Sequence, residues 1–400
     1  MRRPNTHTLK KDLALASHTI LQIIPELETG GAERTAIDIA AALAARGDRA
    51  IVLSQAGGLV AELEAAGGEH VAFPAKTKNP LALAKNAFRL ASLIRRENVD
   101  LIHARSRAPA WSALLAARMT GIPFVTTYHG LYGQKSQAKG LYNSVMARGD
   151  IVIANSRYTA EIIARRHPFA AGRIEVVHRG ADLEAFSNSA DNETRGKKLL
   201  AAWGVKENSR IILNVARLTW WKGHRVLIDA LSDLAREGVG DWVAVLVGGD
   251  QGREAYRREL EERIQDAGLE GRVKLVGHCA DIPAAHAVAD VAVIASIEPE
   301  AFGRAAVEAQ ASGVPVIATD LGAAPETVLA PPEVAEEERT GYRVPPGDSA
   351  KLAETLRKLL DLAPDDREEL TRRAASHVRA NFSRQAMCRS TLALYDRLLG

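Results

Sequence analysis

Short apolar runs alternate along the chain with longer amphipathic stretches, and the alternation restarts once. TILQIIP (19–25) predicts a strand, a Gly-Gly turn follows, and AERTAIDIAAALAARG (32–47) carries apolar residues at helical spacing up to a glycine able to cap it. RAIVLSQ, HVAFP, DLIHAR, PFVTTYHG, DIVIANS and IEVVHRG repeat the strand signal, with helical or turn-rich sequence between them. Strands alternating with helices predict a parallel, doubly wound sheet. From residue 187 the polar run SNSADNETRGKK reads as a linker. RIILNVARL (210–218), DWVAVLVGG (241–249), RVKLVGH (272–278), VAVIAS (291–296) and VPVIATD (314–320) then begin the same pattern again. The expectation is an α/β chain of two doubly wound parallel-sheet domains, residues 18–186 and 187–382. A last helix over 383–400 could close either half, crossing back to the first. Two such domains leave a cleft at the carboxyl ends of their strands, where ligands of these folds bind.

Composition narrows the class. The 400 residues exceed the scale of one ordinary domain, and 46% hydrophobic with 25% charged residues describes a globular protein with a sizeable core rather than a disordered or low-complexity chain. No run approaches the ~18 apolar residues of a membrane span. The start, MRRPNTHTLKKDLALASH, is basic, but its LALA stretch is shorter than the core of a signal peptide. Cys279 and Cys388 are too few for a disulfide framework or a metal cluster, and Cys279 is expected to be a small buried residue. Together these predict a soluble cytoplasmic protein.

The net charge of +3 conceals an asymmetry. Residues 1–185 hold 24 Lys+Arg and 16 Asp+Glu, a balance of +8, whereas residues 186–400 hold 28 and 33, a balance of −5. A basic first half suits an anionic surface or a phosphorylated acceptor, with ordinary variation between domains as the alternative. Lys76, Lys78, Lys85, Arg89, Arg95 and Arg96 surround one helix, either as a peripheral contact with an anionic membrane or as a solvated face. Nucleic acid is disfavoured, because aromatics are 5% and no reading module is present.

The chemistry concentrates in two segments of the second half. In VAVIASIEPEAFGRAAVEAQASGVPVIATD (291–320) a strand ends near Ser296, a loop carries Glu298 and Glu300, and a helix begins around Phe302-Gly303. Free amides at such a helix start suit a diphosphate. Glu300 in the loop and Glu308 in the helix could each accept hydroxyls of a polyol such as ribose or hexose. Taken alone, they read equally as a helix-start charge and a solvated helix residue. In NVARLTWWKGH (214–224), Arg217 and Lys222 stand five residues apart at a strand's carboxyl end, where they could clamp a leaving diphosphate. Surface charges beside a tryptophan pair are the alternative.

Arg-x4-Lys-Gly, then Glu-x7-Glu with Phe-Gly between, then SGVPVIATDLGAAPE (312–326), resembles the nucleotide-sugar domain of glycosyltransferase family 4. The first half agrees: Gly30-Gly31-Ala32-Glu33-Arg34 is similar to that family's glycine-rich turn, and Tyr128-His129-Gly130-Leu131-Tyr132 to its His-Gly segment. VVHRGADLEAF (176–186) and DIPAAHAVADVAVIAS (281–296) resemble further segments, so the likeness runs from about residue 19 to the end. It implies the GT-B fold, two Rossmann-like domains facing a central cleft, and a retaining, metal-independent hexosyltransferase. The implied donor is a UDP- or GDP-sugar. The implied acceptor is a glycan or lipid-linked molecule of cell-envelope polysaccharide, lipopolysaccharide or glycolipid synthesis.

Carried onto this sequence, the resemblance gives Arg217 and Lys222 the donor diphosphate, Glu300 the transferred sugar and Glu308 the ribose. Amides of Phe302, Gly303 and Arg304 approach sugar and phosphates, and the backbone of Gly277, His278 and Cys279 lies near the base. His129 lines the reaction centre, and Gly30 and Gly31 allow close approach to acceptor and donor. Arg105 and Arg107 of HARSRAPAW (103–111) are candidates for an acceptor pocket, with surface arginines as the alternative. The sequence departs from the family's pattern in two places. Ala301 stands where glycine is frequent, and would be strained at positive φ; Arg179-Gly180 replaces a frequent Asn-Gly. No metal site is predicted: His70, His224 and His286 lack zinc-ligand spacing, and Glu298-Pro299-Glu300 lacks an Asp-x-Asp partner. No cofactor is expected beyond the nucleotide-sugar substrate. A sugar-nucleotide epimerase of the same fold and a non-catalytic sugar-nucleotide-binding protein are the rival functions. A nicotinamide oxidoreductase is disfavoured for want of a complete G-x-G-x-x-G turn.

Overall fold

The computed structural model describes residues 17–28, 30–77, 79–133, 136–206 and 208–400. The basic start and Lys78 lie outside them. In chain order the first elements are β1 (Thr19–Ile23), α1 (Gly31–Arg46), β2 (Arg49–Ser54), α2 (Val60–Ala65), β3 (Glu69–Ala72), α3 (Pro80–Arg96), β4 (Leu101–Ala104), α4 (Arg107–Thr120), β5 (Phe124–Tyr128), α5 (Gln137–Asn143), β6 (Ile151–Ala154), α6 (Arg157–Arg166) and β7 (Ile174–Val176). There follow α7 (Ala190–Ala202), β8 (Arg210–Val215), α8 (His224–Arg236), β9 (Trp242–Val247), α9 (Glu254–Asp266), β10 (Val273–Gly277), α10 (Ile282–Ala287), β11 (Val291–Ile294), α11 (Arg304–Ala311), β12 (Val316–Thr319), α12 (Ala324–Thr327), β13 (Tyr342–Val344), α13 (Ser349–Leu360), α14 (Pro364–Phe382) and α15 (Arg384–Leu399).

The strands form two sheets, one of seven strands in the order β3-β2-β1-β4-β5-β6-β7 and one of six in the order β10-β9-β8-β11-β12-β13. Every strand pair of the second sheet is parallel. This is the doubly wound α/β pattern predicted from the alternation. The chain also divides into two compact units, one running to Val125 and including Arg397–Gly400, the other Thr126–Asp396.

Alternation of side chains explains why the second sheet is buried on both faces. Ile212 of β8 and Ala244 and Leu246 of β9 pack in one cluster with Leu227, Leu231 and Leu234 of α8 and Leu356 of α13. Their neighbours Ile211, Leu213, Val245 and Val247 pack on the opposite face with Leu200 and Ala285. Strands buried on both faces read as continuous apolar runs, and those runs made them visible in the sequence. Helix ends follow local chemistry: Gly47 closes α1 at φ 92, and Asn79 accepts the Leu81 N–H at 2.9 Å beside Pro80 at the start of α3.

Two expectations change. The polar run expected to be a linker is mostly helix α7, capped by Ser189, whose hydroxyl accepts the Asn192 N–H at 3.2 Å. Its polarity reflects a narrow buried stripe of Asn192, Gly196 and Leu200, four residues apart. Gly196 is required there, because a Cβ would stand 2.5 Å from the Ala284 carbonyl oxygen of α10. The three-residue β13, paired to β12 through Tyr342 and Ile317, has no apolar run to announce it.

Among the described residues no helix is long and apolar enough to cross a membrane. His286 of α10 is 1% exposed, and neither ring nitrogen finds a hydrogen-bond partner among the described residues. Burial pushes its pKa down to about 4. The imidazole is therefore neutral in the fold, and its contribution to stability is complete above the ordinary value of 6.5 and is lost as pH falls from there towards 4. The full cost is roughly 3 kcal/mol for a shift of this size. His286→Leu is expected to leave stability near neutral pH unchanged or raised and to remove that part of the acid sensitivity. Urea unfolding across this pH range checks it, and an unchanged acid slope would count against the assignment.

Candidate active site

Strand order creates the site. The chain leaves central β8 towards β9 and β10 on one side, then returns to β11, β12 and β13 on the other. The crevice beyond the carboxyl ends of β8 and β11 is therefore the switch point of the sheet. The loops that follow these two strands meet there, the Ile297 N–H donating to the Trp221 carbonyl at 2.8 Å. Glycines permit the approach. Gly223 has φ 70, and a Cβ on it would stand 1.7 Å from the Ala295 carbonyl oxygen. A Cβ on Gly248 would stand 1.9 Å from that of Ala216. Both distances are far inside contact range, so no other residue fits without moving backbone.

Across this junction Lys222 Nζ lies 2.7 Å from Glu300 Oε1, with both side chains largely shielded from solvent. The Ser296 hydroxyl donates to the same carboxylate oxygen, and the Lys222 ammonium also stands 4.5 Å from the Trp221 ring centre. The Glu300 carbonyl accepts the Ala323 N–H at 3.0 Å. Arg217, from the same loop as Lys222, is exposed, and its guanidinium donates to Gln251 Oε1 at 3.4 Å.

Glu308 sits in α11 at 6% exposure, so the solvated-residue alternative fails. Burial drives its carboxyl pKa upward, opposed by Arg304 and Arg179. Arg304 Nε lies 2.9 Å from Glu308 Oε1, one helical turn away. The helix begins after Gly303, at φ 81, with no side chain capping it. Phe302 points the other way, packing in a cluster with Leu183, Val378 and Phe382.

These residues line a cleft of about 840 Å³, within the range of small-molecule sites. Of the residues predicted from sequence, His129, Arg217, Lys222, His278, Glu300, Phe302, Gly303, Arg304 and Glu308 meet on its walls. Gly277, at φ 75, precedes His278 and has its carbonyl occupied by the Gly248 N–H at 2.8 Å. Cys279 is on the wall and only half-buried, not fully buried as expected; burial pushes its thiol up, away from a nucleophilic thiolate. Arg179 is a lining residue not singled out for a role.

Gly30, Gly31, Arg105 and Arg107 belong to the other unit. Gly30 and Gly31 open α1, after β1. Arg105, following β4, is 3% exposed, and its Nε donates to Gln22 Oε1 at 2.5 Å. It is built into the sheet rather than standing on the surface, and Arg107 is the first residue of α4.

Sequence reasoning gave no role to Glu326. Its carboxylate accepts the N–H groups of Arg157 at 2.7 Å and Tyr158 at 2.9 Å, and lies 2.9 Å from His178 Nε2. Burial raises its pKa, but these hydrogen bonds outweigh burial and hold it below the ordinary carboxylate value. The amides belong to the first turn of α6, which follows Asn155 after the capping residue Ser156, and Asn155 donates to the His129 carbonyl at 3.5 Å. Glu326 thus ties the start of α6, and through Asn155 the segment carrying His129, to α12, while the Ala323 N–H at the start of α12 holds the Glu300 loop. Gly322 makes the second tie possible: at φ 66, a Cβ there would stand 2.5 Å from the Glu300 carbonyl oxygen.

Residues 29–185 match the family described as Glycosyltransferase Family 4, and residues 197–377 the one described as Glycosyl transferases group 1. A solved glycosyltransferase from Rickettsia africae is 34% identical, with TM-score 0.86 over 96% of this chain and 99% of its own. The chain belongs to glycosyltransferase family 4. HepE of Anabaena, solved in complex with UDP-glucose, is 28% identical to this glycosyltransferase, with TM-score 0.76 over 95% of this chain and 100% of its own. A D-inositol 3-phosphate glycosyltransferase of Corynebacterium glutamicum is 28% identical, the match covering 80% of this chain and 78% of the relative. The fold is GT-B.

The first departure from the family's pattern costs the glycosyltransferase nothing. Among the described residues the non-glycine positions at positive φ are Ala56, Asn98 and Gln251, so Ala301 is unstrained. At the second, Gly180 is held by its close approach to Arg384, whose Cα would stand 2.7 Å from a Cβ. Gly322→Ala is expected to cost about 1–3 kcal/mol through strain and displaced backbone, and to weaken nucleotide-sugar binding with it. Urea unfolding and donor binding on one preparation test this; wild-type values in both would mean the Glu300 loop is not held there.

Proposed function

We propose that this glycosyltransferase moves a hexose, with retention of anomeric configuration, from a UDP- or GDP-sugar to a glycan or lipid-linked acceptor of the cell envelope. The observation that carries the reading is the Lys222–Glu300 pair at the switch point, 2.7 Å apart, with Arg217 and the uncapped start of α11 on the same cleft. Breaking the anomeric carbon–oxygen bond develops oxocarbenium character on the sugar and negative charge on the diphosphate. Arg217, Lys222 and the α11 amides supply positive charge for the second, so this reading asks no metal for that task. Glu300 orients sugar hydroxyls, Glu308 accepts those of the ribose, and His129 lines the reaction centre. The acceptor attacks from the face the diphosphate leaves, its proton passing to the departing phosphate. UDP is the better supported base, since HepE was solved with UDP-glucose. Arg107, Gly30 and Gly31, at the corresponding end of the first sheet, are the candidates for acceptor approach, and Arg105, the third candidate, is buried and bonded to Gln22 of β1. The pathway and the cytoplasmic setting, at the inner face of the membrane, are part of the same reading.

A thermal-shift screen with UDP, GDP and their sugars, with and without magnesium, identifies the donor, since ligand at a hundredfold over Kd adds ~2.7 kcal/mol. A metal-independent shift with one nucleotide is expected; no shift with any would sink the assignment. Lys222→Ala is expected to lower turnover roughly 100- to 1000-fold while the protein stays folded, and near-normal turnover would refute the diphosphate role. Donor consumed and isomerised without acceptor would mean an epimerase, and donor bound without turnover a sensor.

The upward shift of Glu308 gives a pH test. Its ionised form, the one that accepts two hydroxyls, is lost as pH falls through a value above the ordinary 4.5. Donor affinity is expected to weaken over that acidic range, and Glu308→Gln to be weaker throughout and flat with pH. A Glu308→Gln titration that keeps the wild-type slope would exclude the carboxyl as its source.

A further inference from the structure

We propose that α3 and α4 together form a docking face for an anionic lipid bilayer. The face belongs to the first unit and owes nothing to the donor site; it deepens only the acceptor half of the function proposed above. Helix α3 contains no Asp or Glu, and neither does α4. The two lie side by side, the Ser112 hydroxyl donating to the Leu83 carbonyl at 2.9 Å and the Arg95 guanidinium to the Met119 carbonyl at 2.9 Å.

The outer residues of α3 recur at helical spacing, with Leu81 at 82% exposure and Phe88 at 69% in one stripe with Lys85, Arg89, Arg95 and Arg96. Leu115 at 47% and Met119 at 37% continue the apolar character on α4. Single exposed apolar residues are ordinary, but four large ones on two adjoining helices, among cations, mark an interaction surface.

The charges name the partner. On α9, Arg257 pairs with Glu261 and Arg258 with Glu254, as on a solvated helix. Lys85 and Arg89 make no ion pair among the described residues, and no carboxylate on either helix is available to them. Such a face fits a surface that is apolar beneath and negative at its rim. In an anionic bilayer Leu81 and Phe88 enter the boundary of the acyl chains while Lys85 and Arg89 stay among the headgroups. A second copy is a poor occupant, because a symmetric contact would set this cationic face against itself.

The test is flotation of the full chain with phosphatidylcholine vesicles, with and without phosphatidylglycerol, at low and high salt. Binding is expected only to the anionic vesicles, and to weaken with salt. Lys85→Gln with Arg89→Gln should reduce partitioning roughly thirtyfold, and Leu81→Ser with Phe88→Ser should reduce it even at low salt. All variants should keep the wild-type thermal shift with donor nucleotide, which shows them folded. Absence of binding to anionic vesicles at low salt overturns the proposal, as does binding that neither pair of substitutions weakens. So does a dimer in sedimentation that Leu81→Ser with Phe88→Ser dissociates.

Discussion

The ion pair between Lys222 and Glu300 joins the side chains of two loops that follow adjacent strands. Each loop would otherwise carry a charge into a narrow crevice without compensation. Paired at 2.7 Å, the two side chains neutralise each other and fix where the backbone of both loops runs. The Ile297–Trp221 backbone bond and the close approach at Gly223 follow the same path. A ligand entering this cleft meets groups already oriented, so little ordering remains to be done when it binds.

Side chains and backbone divide the labour at the next element. Phe302 sinks into a cluster with Val378 and Phe382 of α14, and the residue after it turns at positive φ into α11. The aromatic anchor fixes the helix start, and the helix start faces the cleft. The amides gain their direction from packing that never touches a ligand, so a change in α14 could disturb the site without any contact with it.

Much of this was legible. Twelve strands announced themselves as apolar runs, the central ones such as β4, β6 and β12 because they are covered on both faces, whereas β13 is three residues long and α7 hides a narrow buried stripe in polar sequence. Arg217, Lys222, Glu300 and Glu308 were legible as candidates because each lies in or just after a loop at a strand's end and because their spacing resembles that of glycosyltransferase family 4; position in the sequence alone left surface charges as the alternative. The burial of Arg105 against Gln22 was not, since the pairing joins two strands 83 residues apart. Glu326 was hidden for the same reason: its partners lie 148 to 169 residues upstream, and no local pattern encodes them. Gly248 and Gly322 look like ordinary turn residues until the neighbouring backbone is in place.

The reach of Glu326 bears on how the enzyme is made. Closing so long a loop adds little to its thermodynamic cost, which grows only with the logarithm of length, but it delays the contact in time. A chain emerging from the ribosome has His129, Arg217, Lys222, Glu300 and Glu308 before it has α12, whose Glu326 holds the start of α6 and whose first residues hold the Glu300 loop. Helix α14, which supplies the anchor for Phe302, is later still. The cleft is therefore a property of the finished chain, and a truncated product ending before α12 would carry the charged residues of a transferase without the frame that makes them one.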